Sequence, residues 1–524
     1  MARWLGRAII IAAVAMGLAM PVVPTAVAQQ VSIPQRGGII AYATAAPPGS
    51  LDPHVAVSLT ELEVIHHVFE TLMAMDGAYS PRPMLAAAVA VGNQARRYSF
   101  TLRRGVRFHD GQEMTSADVL ASFERYAQVS PNRLLLADVA GYETPDPYTF
   151  VVRLKATNAL FLDMLTTPTY PLAILPAGQR DKPAREIDIV GTGPFVFDSV
   201  QEDSHLLLRR NDAYTADLDA AGPDGLAGRK TVHVDTVRFT FVPQSHDRFA
   251  ALQDGTADVV SALRPEMVQR LDNRADLATL LVFPFCQLVF VTNAAHGPTT
   301  NVLVRQAIRA AVDVDQILAA TGQPVRRNPS LVYPASPYHP GDAEAPFYDR
   351  NSLDEARTLL KQAGYGGEKL VLQTSPAYSY LRDAIFVLAG VLQQAGMNAE
   401  VEVVDWATNS ANRRRGKGGW NVTAAGFCTQ PLLGPQQWRA ALHASVPAGE
   451  RAVLDAAYAR LFSPHDAADR RQAWLAIEAH VLEQAYFIKV ADLGAIRGYN
   501  ARVQGLTPFF FLRFWNTWLN SQMN

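Results

Sequence analysis

The chain has few cysteines and almost no net charge. It contains only Cys286 and Cys428 among its 524 residues, too few for a disulfide-rich scaffold or a cysteine-based metal cluster. Its 47 basic and 49 acidic residues leave a net charge of −2, so nothing indicates nucleic acid or an anionic membrane as a partner. Low-complexity segments and repeats of 20–50 residues are also missing.

The sequence lacks the motifs of the common enzyme classes. It has no G-x-S-x-G, no Walker A sequence and no H-E-x-x-H. His66 and His67 are neighbours, and on a helix their side chains would diverge by about 100°, so they cannot readily share one ion. We therefore predict a protein that is not an enzyme and that holds no metal and no cofactor.

Long apolar runs are missing as well, except at the N-terminus. Arg3 and Arg7 precede a mostly apolar stretch over residues 8–23, and Ala26-Val27-Ala28 forms an A-x-A cleavage site. This pattern predicts a signal peptide over residues 1–28. No cysteine follows it, so we expect no lipid anchor. The expected product is a free periplasmic protein that is not embedded in a membrane.

What is present is a regular alternation of strand and helix patterns. Apolar residues alternate over residues 98–102, and Val106 and Phe108 begin a second alternating run. Thr115 and Asp118 then have the spacing of a capping box ahead of an apolar helical face. These residues predict a hairpin, a loop and a capped helix.

The later part of the chain repeats this order. Ser352 and Glu355 form a second capping-box pattern, and Gly364 occupies the position just beyond the helix. Apolar helical spacing over residues 381–392 is followed by an alternating strand around 401–403. Helix followed by strand is the order that a mostly parallel sheet requires, so the fold class is α/β.

Residues 98–125 have the sequence YSFTLRRGVRFHDGQEMTSADVLASFER. This sequence resembles the signature of solute-binding protein family 5, the extracytoplasmic solute-binding proteins of peptide- and nickel-type ABC importers. Leu51-Asp52-Pro53, Gly191-Thr192-Gly193-Pro194-Phe195 and residues 302–313 also resemble family segments. The resemblance extends from about Gly37 to the C-terminus. It implies a periplasmic receptor that captures a small polar solute, most simply a peptide-like or amino-acid-derived one.

The resemblance also implies an architecture and partners. The expected fold is the two-lobed periplasmic-binding-protein fold (type II, large peptide-binding class) with an extra subdomain inserted in the first lobe. The implied boundaries are 29–73, 188–284 and 491–524 for lobe I, 74–187 for the inserted subdomain and 285–490 for lobe II. Such a monomer would close about a hinge and deliver its solute to an inner-membrane ABC permease, with ATP hydrolysed by a separate ATPase.

A disulfide is a further implication. Cys286 and Cys428 match positions that are bridged in the oligopeptide-binding branch of the family, and the bridge would close a loop of about 142 residues. An exported chain favours such a bridge. The alternative is a pair of buried free thiols.

Five residues are candidates for contact with the solute. Phe427 adjoins Cys428, Trp406 adds aromatic area, and His54 lies on a loop that borders the cleft in relatives. Arg415 matches a basic contact of the peptide-binding branch. Gln430 replaces the aspartate that pairs with a peptide's amino terminus in that branch, and a neutral amide cannot supply the opposite charge.

Alternatives remain for these residues and for the function. Arg415 belongs to a basic cluster with Arg413, Arg414 and Lys417, which could equally be a solvated hairpin turn, and the aromatic residues could be core. The same fold could bind a sugar- or opine-like solute, or serve as a sensor or chaperone without transport. A hydrolase that uses the cleft is the third hypothesis.

Overall fold

Two long antiparallel strands organise the protein. In the computed structural model they are β14, with 16 residues, and β19, with 14 residues, and they pair with each other along most of their length. The structure describes residues 33–56, 58–271, 274–341, 345–416, 418–428, 434–463 and 466–520. The predicted signal peptide and the predicted site residue Gln430 lie outside these ranges.

The strands are β1 (Ile39–Thr44), β2 (Met73–Met75), β3 (Pro81–Pro83), β4 (Ala86–Gly92), β5 (Arg97–Leu102), β6 (Val139–Asp146), β7 (Thr149–Leu154), β8 (Phe195–Gln201), β9 (His205–Arg210), β10 (Pro223–Asp224), β11 (Ala227–Gly228), β12 (Thr236–Phe241), β13 (Val259–Leu263), β14 (Leu277–Thr292), β15 (Val325–Arg326), β16 (Lys369–Thr374), β17 (Asn398–Val403), β18 (Val422–Phe427), β19 (Phe487–Asn500), β20 (Val503–Gln504) and β21 (Trp518–Leu519).

The α-helices are α1 (Leu59–Val68), α2 (Ser116–Val129), α3 (Phe161–Leu165), α4 (Ser245–Gln253), α5 (Pro265–Val268), α6 (Val302–Ala311), α7 (Val314–Thr321), α8 (Leu353–Ala363), α9 (Ser379–Gln394), α10 (Trp406–Arg415), α11 (Trp438–Ser445), α12 (Ala448–Leu461) and α13 (Ala467–Glu483). Short 3-10 helices occupy Arg133–Leu136, Ala177–Gln179, Gly297–Thr300 and Pro435–Gln437.

The main sheet has the order β17-β16-β18-β14-β19-β13-β1-β12-β9-β8. We call the part built on β13, β1, β12, β9 and β8 lobe I, and the part built on β17, β16 and β18 lobe II. Strands β14 and β19 belong to both parts. The predicted α/β class with two lobes is confirmed.

Lobe II is covered by helices on both faces of its sheet. Leu288 and Phe290 of β14 pack in the cluster formed with α6 to α9, while Val289 and Val291 pack in the cluster formed with α11 to α13. Successive side chains of a strand point to opposite faces, so a strand buried on both sides needs a continuous apolar run. The sequence Leu-Val-Phe-Val meets this requirement.

The inserted subdomain is a separate four-stranded sheet, β4-β5-β7-β6, with α2 packed against it. Tyr98, Phe100 and Leu102 of β5 are buried, as their alternation predicts. The predicted second strand does not form. Only an isolated bridge joins Arg107 to Glu113 there. The turn between them is short, and Val106 and Phe108 are nevertheless buried in the subdomain core.

The predicted helix boundaries agree with the structure. The Oδ2 atom of Asp118 accepts a hydrogen bond from the backbone N–H of Thr115 at 2.8 Å, at the start of α2. The Ser352 hydroxyl accepts one from the N–H of Glu355 at 3.2 Å, and Gly364 ends α8 with a φ of 66°. These caps satisfy backbone groups that a helix leaves unpaired at its ends, which is why they are visible in the sequence.

The basic cluster lies on a helix and not on a hairpin turn, the alternative given above. Residues 413–415 form the last turn of α10, which begins after Asp405 and ends at Gly416 with a φ of 59°. The carboxylate of Asp405 accepts a hydrogen bond from the N–H of Thr408 at 2.9 Å and caps the helix. Cations at a helix C-terminus are favoured by the helix dipole.

Candidate ligand-binding site between the lobes

The strand directions identify the most favourable place for a ligand. Strand β13, with its parallel neighbours β1 and β12, runs in the same direction as β14, because β19 is antiparallel to both β13 and β14. Strand β18 is antiparallel to β14, and β16 and β17 are parallel to β18. Strand β13 pairs with the part of β19 that lies beside the first half of β14, and β18 pairs with the second half of β14. The carboxyl ends of both sets of strands therefore point toward the middle of β14, the position at which α/β sheets bind ligands.

The middle of β14 is also where the two lobes are cross-linked. The pairing of β14 with β19 changes register between Val282 and Cys286. A disulfide joins Cys286 to Cys428, the residue that follows β18, so the predicted bridge is confirmed. Phe285 and Cys428 pack against the cores of both lobes. The chain is thus fastened at the point where it crosses between lobes.

A cavity of about 200 Å³ lies between lobe I, the inserted subdomain and lobe II. Met75 and Tyr79 line it from the lobe I core, and Asp163 and Thr166 line it from α3 and the residue after it. Tyr338 and Arg470 close it from lobe II. The wall combines an aromatic ring, a carboxylate and a guanidinium, groups that can orient a small polar solute.

The charged groups of this cavity are perturbed by burial. Burial raises the pKa of Asp163 from 3.8 to about 6, with Arg470 opposing the rise by its positive charge. Burial also raises the pKa of Tyr338 to about 12. A perturbed carboxyl in a cavity is a frequent property of binding sites, because the same desolvation strengthens its pairing with a ligand.

The raised pKa of Asp163 predicts a pH dependence of stability. A carboxyl whose pKa is higher in the folded than in the unfolded protein contributes stability below the unfolded value, and this contribution is lost as the pH rises through about 6. The free energy of unfolding of the wild type, relative to Asp163→Asn, should fall by up to about 3 kcal/mol between pH 4 and pH 7. Urea unfolding across this range measures the difference, and parallel curves would contradict the prediction.

Two aromatic rings, one exposed and one half-buried against the lobe II core, lie beyond the carboxyl ends of two neighbouring lobe II strands. Tyr378 follows β16 and is 43% exposed, and Trp406 follows β17 as the first residue of α10. Their ring centroids are 4.7 Å apart in an edge-to-face arrangement. This places the predicted residue Trp406 in an aromatic pair on the side of lobe II toward which the strands point.

Phe427 and the basic cluster meet at the end of β18. Phe427 is buried against Trp438, and the guanidinium carbon of Arg413 lies 5.2 Å from the centre of its ring. Among the residues that the structure describes, Arg413 forms no hydrogen bond or ion pair. Burial lowers its pKa to about 10, so it stays charged at neutral pH. Arg415, the arginine predicted from the sequence, is exposed at the end of the same helix.

Comparison with known proteins gives the family. The sequence profile of bacterial extracellular solute-binding proteins, family 5 (middle part), matches residues 80–444. The chain belongs to this family. A probable peptide ABC transporter periplasmic-binding protein, y4tO from Sinorhizobium fredii, is 28% identical over 375 residues, which cover 68% of this chain and 69% of its own.

Two further relatives extend the match. The glutathione-binding protein GsiB from Escherichia coli K12 is 24% identical over 88% of this chain and 90% of its own. The crystal structure of CtaP, an ABC transporter substrate-binding protein from Listeria monocytogenes, superimposes with a TM-score of 0.79 at 18% identity and covers 93% of this chain and all of its own. Family 5 proteins of this kind are transport components.

In this family 5 protein, none of the described site residues predicted from the sequence lines the cavity between the lobes. Trp406, Arg415 and Phe427 lie on α10 and at the end of β18, and His54 lies elsewhere. Its side chain is 0% exposed and lines neither the cavity between the lobes nor the Arg413 region. Its Nε2 atom lies 2.9 Å from the carbonyl of Ala173, and its Nδ1 lies 3.1 Å from a guanidinium nitrogen of Arg125. Burial lowers the pKa of His54 to about 4, so the neutral ring donates to the carbonyl and accepts from Arg125.

Sequence reasoning did not single out Tyr79, Asp163, Tyr338 or Arg470, and it named Arg413 only as a member of the basic cluster. The first four come from segments far apart in the chain, and no local pattern joins them. Arg413 could have been distinguished from Arg415 by helical spacing, since it lies four residues after the buried Asn409 and so shares its face.

In the described part of the chain, no group of three or more His, Cys, Asp or Glu side chains is placed to hold a metal ion. No helix of that part is long and apolar enough to cross a membrane.

Proposed function

We propose that this family 5 protein is the periplasmic receptor of an ABC importer and that it binds a short peptide or a peptide-like, amino-acid-derived solute between its lobes. The observation that carries the proposal is the cavity of about 200 Å³ that lobe I, the inserted subdomain and lobe II line together. The names of y4tO, a peptide-binding protein, and GsiB, which binds the tripeptide-like glutathione, support a solute of this class. The protein would bind its solute without altering it.

Closure of the lobes would occur at the two strands that cross between them. The register of β14 against β19 breaks between Val282 and Cys286. On the opposite strand, Gly494 lies so close to the ring of Phe283 that an added side-chain carbon would stand 2.7 Å from it. A bend in a strand pair absorbs hinge rotation in a few residues.

The proposed partners follow from this role. After removal of residues 1–28, the protein would be a free periplasmic monomer without a lipid anchor, and the closed form would deliver its solute to an inner-membrane permease driven by a separate ATPase. Native mass spectrometry of protein purified from its own periplasm tests the ligand class. Release of a peptide or amino-acid derivative on denaturation is the expected result. Release of one sugar- or opine-like solute would overturn the peptide assignment and name its replacement.

Arg413, which has no ion-pair partner among the described residues, gives a sharper test of the site. A partly buried cation without a carboxylate partner is unfavourable in the free protein, and a carboxylate of the ligand would neutralise it. We expect Arg413→Gln to weaken binding of the released ligand by about 1.5–3 kcal/mol, roughly tenfold to 150-fold. Isothermal titration calorimetry gives the dissociation constants.

Arg415→Gln is the matched control, because it removes the same charge from the same helix at an exposed position. Its affinity should equal that of the wild type. If Arg415→Gln weakens binding and Arg413→Gln does not, the ligand contacts the arginine predicted from the sequence. If neither variant changes the affinity, the end of α10 takes no part in binding an anionic group.

A further inference from the structure

Lobe II contains a second cavity, of about 290 Å³, that shares no lining residue with the cavity between the lobes. Its walls come from α6, α13, the start of β19 and the segment between β15 and α8. They are mostly apolar, with Pro329, Phe347, Leu475, Leu482 and Ile488 among them. Three charged side chains also line it, Arg309, Glu478 and Lys489.

Arg309 is a fixed cation at one side of this cavity. Its Nη1 donates hydrogen bonds to the carbonyls of Leu482 and Glu483 at 2.7 and 3.0 Å, and the ring of Phe347 lies 4.6 Å from the guanidinium carbon. The side chain is 8% exposed. Within the described ranges it has no carboxylate partner, and its Nη2 makes no hydrogen bond. The guanidinium is therefore held in place by Nη1, while Nε and Nη2 donate to none of the described residues.

Glu478 is a buried carboxylate that also lines this cavity. It is 4% exposed, and its Oε1 accepts hydrogen bonds from the Ser330 hydroxyl at 2.7 Å and from the Leu331 N–H at 2.6 Å. Its Oε2 accepts none from the residues that the structure describes. Burial raises the pKa of Glu478 to about 6, so the group is mostly ionised at pH 7.

Lys489 does not neutralise Glu478. Its amine hydrogen-bonds to Asp492 at 2.6 Å, and both side chains of that ion pair are 1% exposed. The pair leaves one negative charge, on Glu478, and one positive charge, on Arg309. No ion pair joins these two. The carbonyl of Leu482 accepts a hydrogen bond from Arg309. Glu478 lies one turn of α13 before Leu482, which is about 6 Å along the helix axis.

A cavity with apolar walls and two separated, opposite charges is complementary to a small zwitterion with an apolar side chain. We propose that this cavity is a second ligand site of the protein and that its ligand is a free apolar α-amino acid. The ligand's carboxylate would accept hydrogen bonds from Nη2 of Arg309, its ammonium group would donate to Oε2 of Glu478, and its side chain would lie among Pro329, Phe347 and Leu475. The volume is at the lower end for ligand pockets and suits one amino acid better than a peptide.

The inference does not depend on what binds between the lobes. Calorimetric titration with L-leucine, at millimolar concentration and with the full mature chain, tests it. Arg309→Gln and Glu478→Gln should each weaken leucine binding by about tenfold or more, as expected for the loss of a charge-assisted hydrogen bond. Glu478→Gln retains an oxygen that can accept from Ser330 and Leu331, and melting temperatures of both variants check the fold.

Two analogues of leucine separate the contributions of its charged groups. 3-Methylbutylamine lacks the carboxylate and 4-methylpentanoate lacks the ammonium group, and both should bind more weakly than leucine. Absence of leucine binding to the wild type overturns the inference, as does binding that neither variant changes. Leucine binding that is lost in Arg413→Gln and kept in Glu478→Gln would place the amino acid between the lobes, which overturns the second site and supports the proposed function.

Discussion

Replacement of Cys286 and Cys428 by alanine is expected to lower the free energy of unfolding by about 2–5 kcal/mol. The bridge closes a loop with a sequence separation of 142 residues. Opening this loop restores conformational freedom to the unfolded chain, and the chain-entropy treatment gives about 5 kcal/mol for a loop of that length as an upper value. Urea unfolding of the double variant, compared with the oxidised wild type, measures the loss.

The reduced wild-type protein is the control for packing. It keeps both sulfur atoms and lacks only the cross-link, which separates the loop entropy from the loss of side-chain volume at Cys286, a residue that is 5% exposed. The reduced protein and the double variant should lose similar amounts. A loss below about 1 kcal/mol in both would mean that the unfolded chain keeps the two segments together without the bond.

The second large effect is expected at the ion pair that joins the inserted subdomain to lobe I. Arg125 of α2 is 0% exposed, and its two terminal nitrogens donate to the Asp52 carboxylate at 3.1 and 2.6 Å. Asp52→Asn removes the charge that compensates the buried guanidinium, so it should cost about 3–5 kcal/mol. Arg125→Met should cost a similar amount, because it leaves Asp52 buried and unpaired.

A double-mutant cycle distinguishes this ion pair from general packing. The double variant Asp52→Asn/Arg125→Met should lose much less than the sum of the two single losses, because no uncompensated charge remains. Asp354→Asn is the matched surface control. Asp354 is paired with Arg357 but is 95% exposed, so its replacement should cost less than about 1 kcal/mol. Additive losses at Asp52 and Arg125 would contradict the electrostatic explanation.

The Asp52–Arg125 pair also explains the position of His54. The backbone N–H groups of His54 and Arg185 donate to the two oxygens of Asp52 at 3.1 and 2.9 Å, and the His54 ring accepts from Arg125. The loop that resembles the cleft-bordering loop of the family thus directs its histidine inward. The sequence shows that a histidine occurs on the loop. Which way the ring points depends on an arginine 71 residues away.

The features that can be predicted from the sequence are local ones or follow from the resemblance to the family. Caps such as Ser352 and Gly364 are visible because each satisfies backbone groups within one helical turn. The alternation of Tyr98, Phe100 and Leu102 specifies a buried strand face, because side chains of a strand repeat every two residues. The order of helix and strand patterns indicated the α/β class, and family resemblance supplied the disulfide and the two-lobed arrangement, which residue patterns alone left open.

Which side chains meet depends on the tertiary structure. Asp163 and Arg470 line one cavity because the segment before α3 contacts lobe II directly, with Leu160 buried in a lobe II core, and no periodicity in the sequence encodes that contact. The same holds for Arg309 of α6 and Glu478 of α13, two helices that belong to different core clusters. Burial and the nearest partner charge fix what each of these groups can do, and both depend on residues that are remote along the chain.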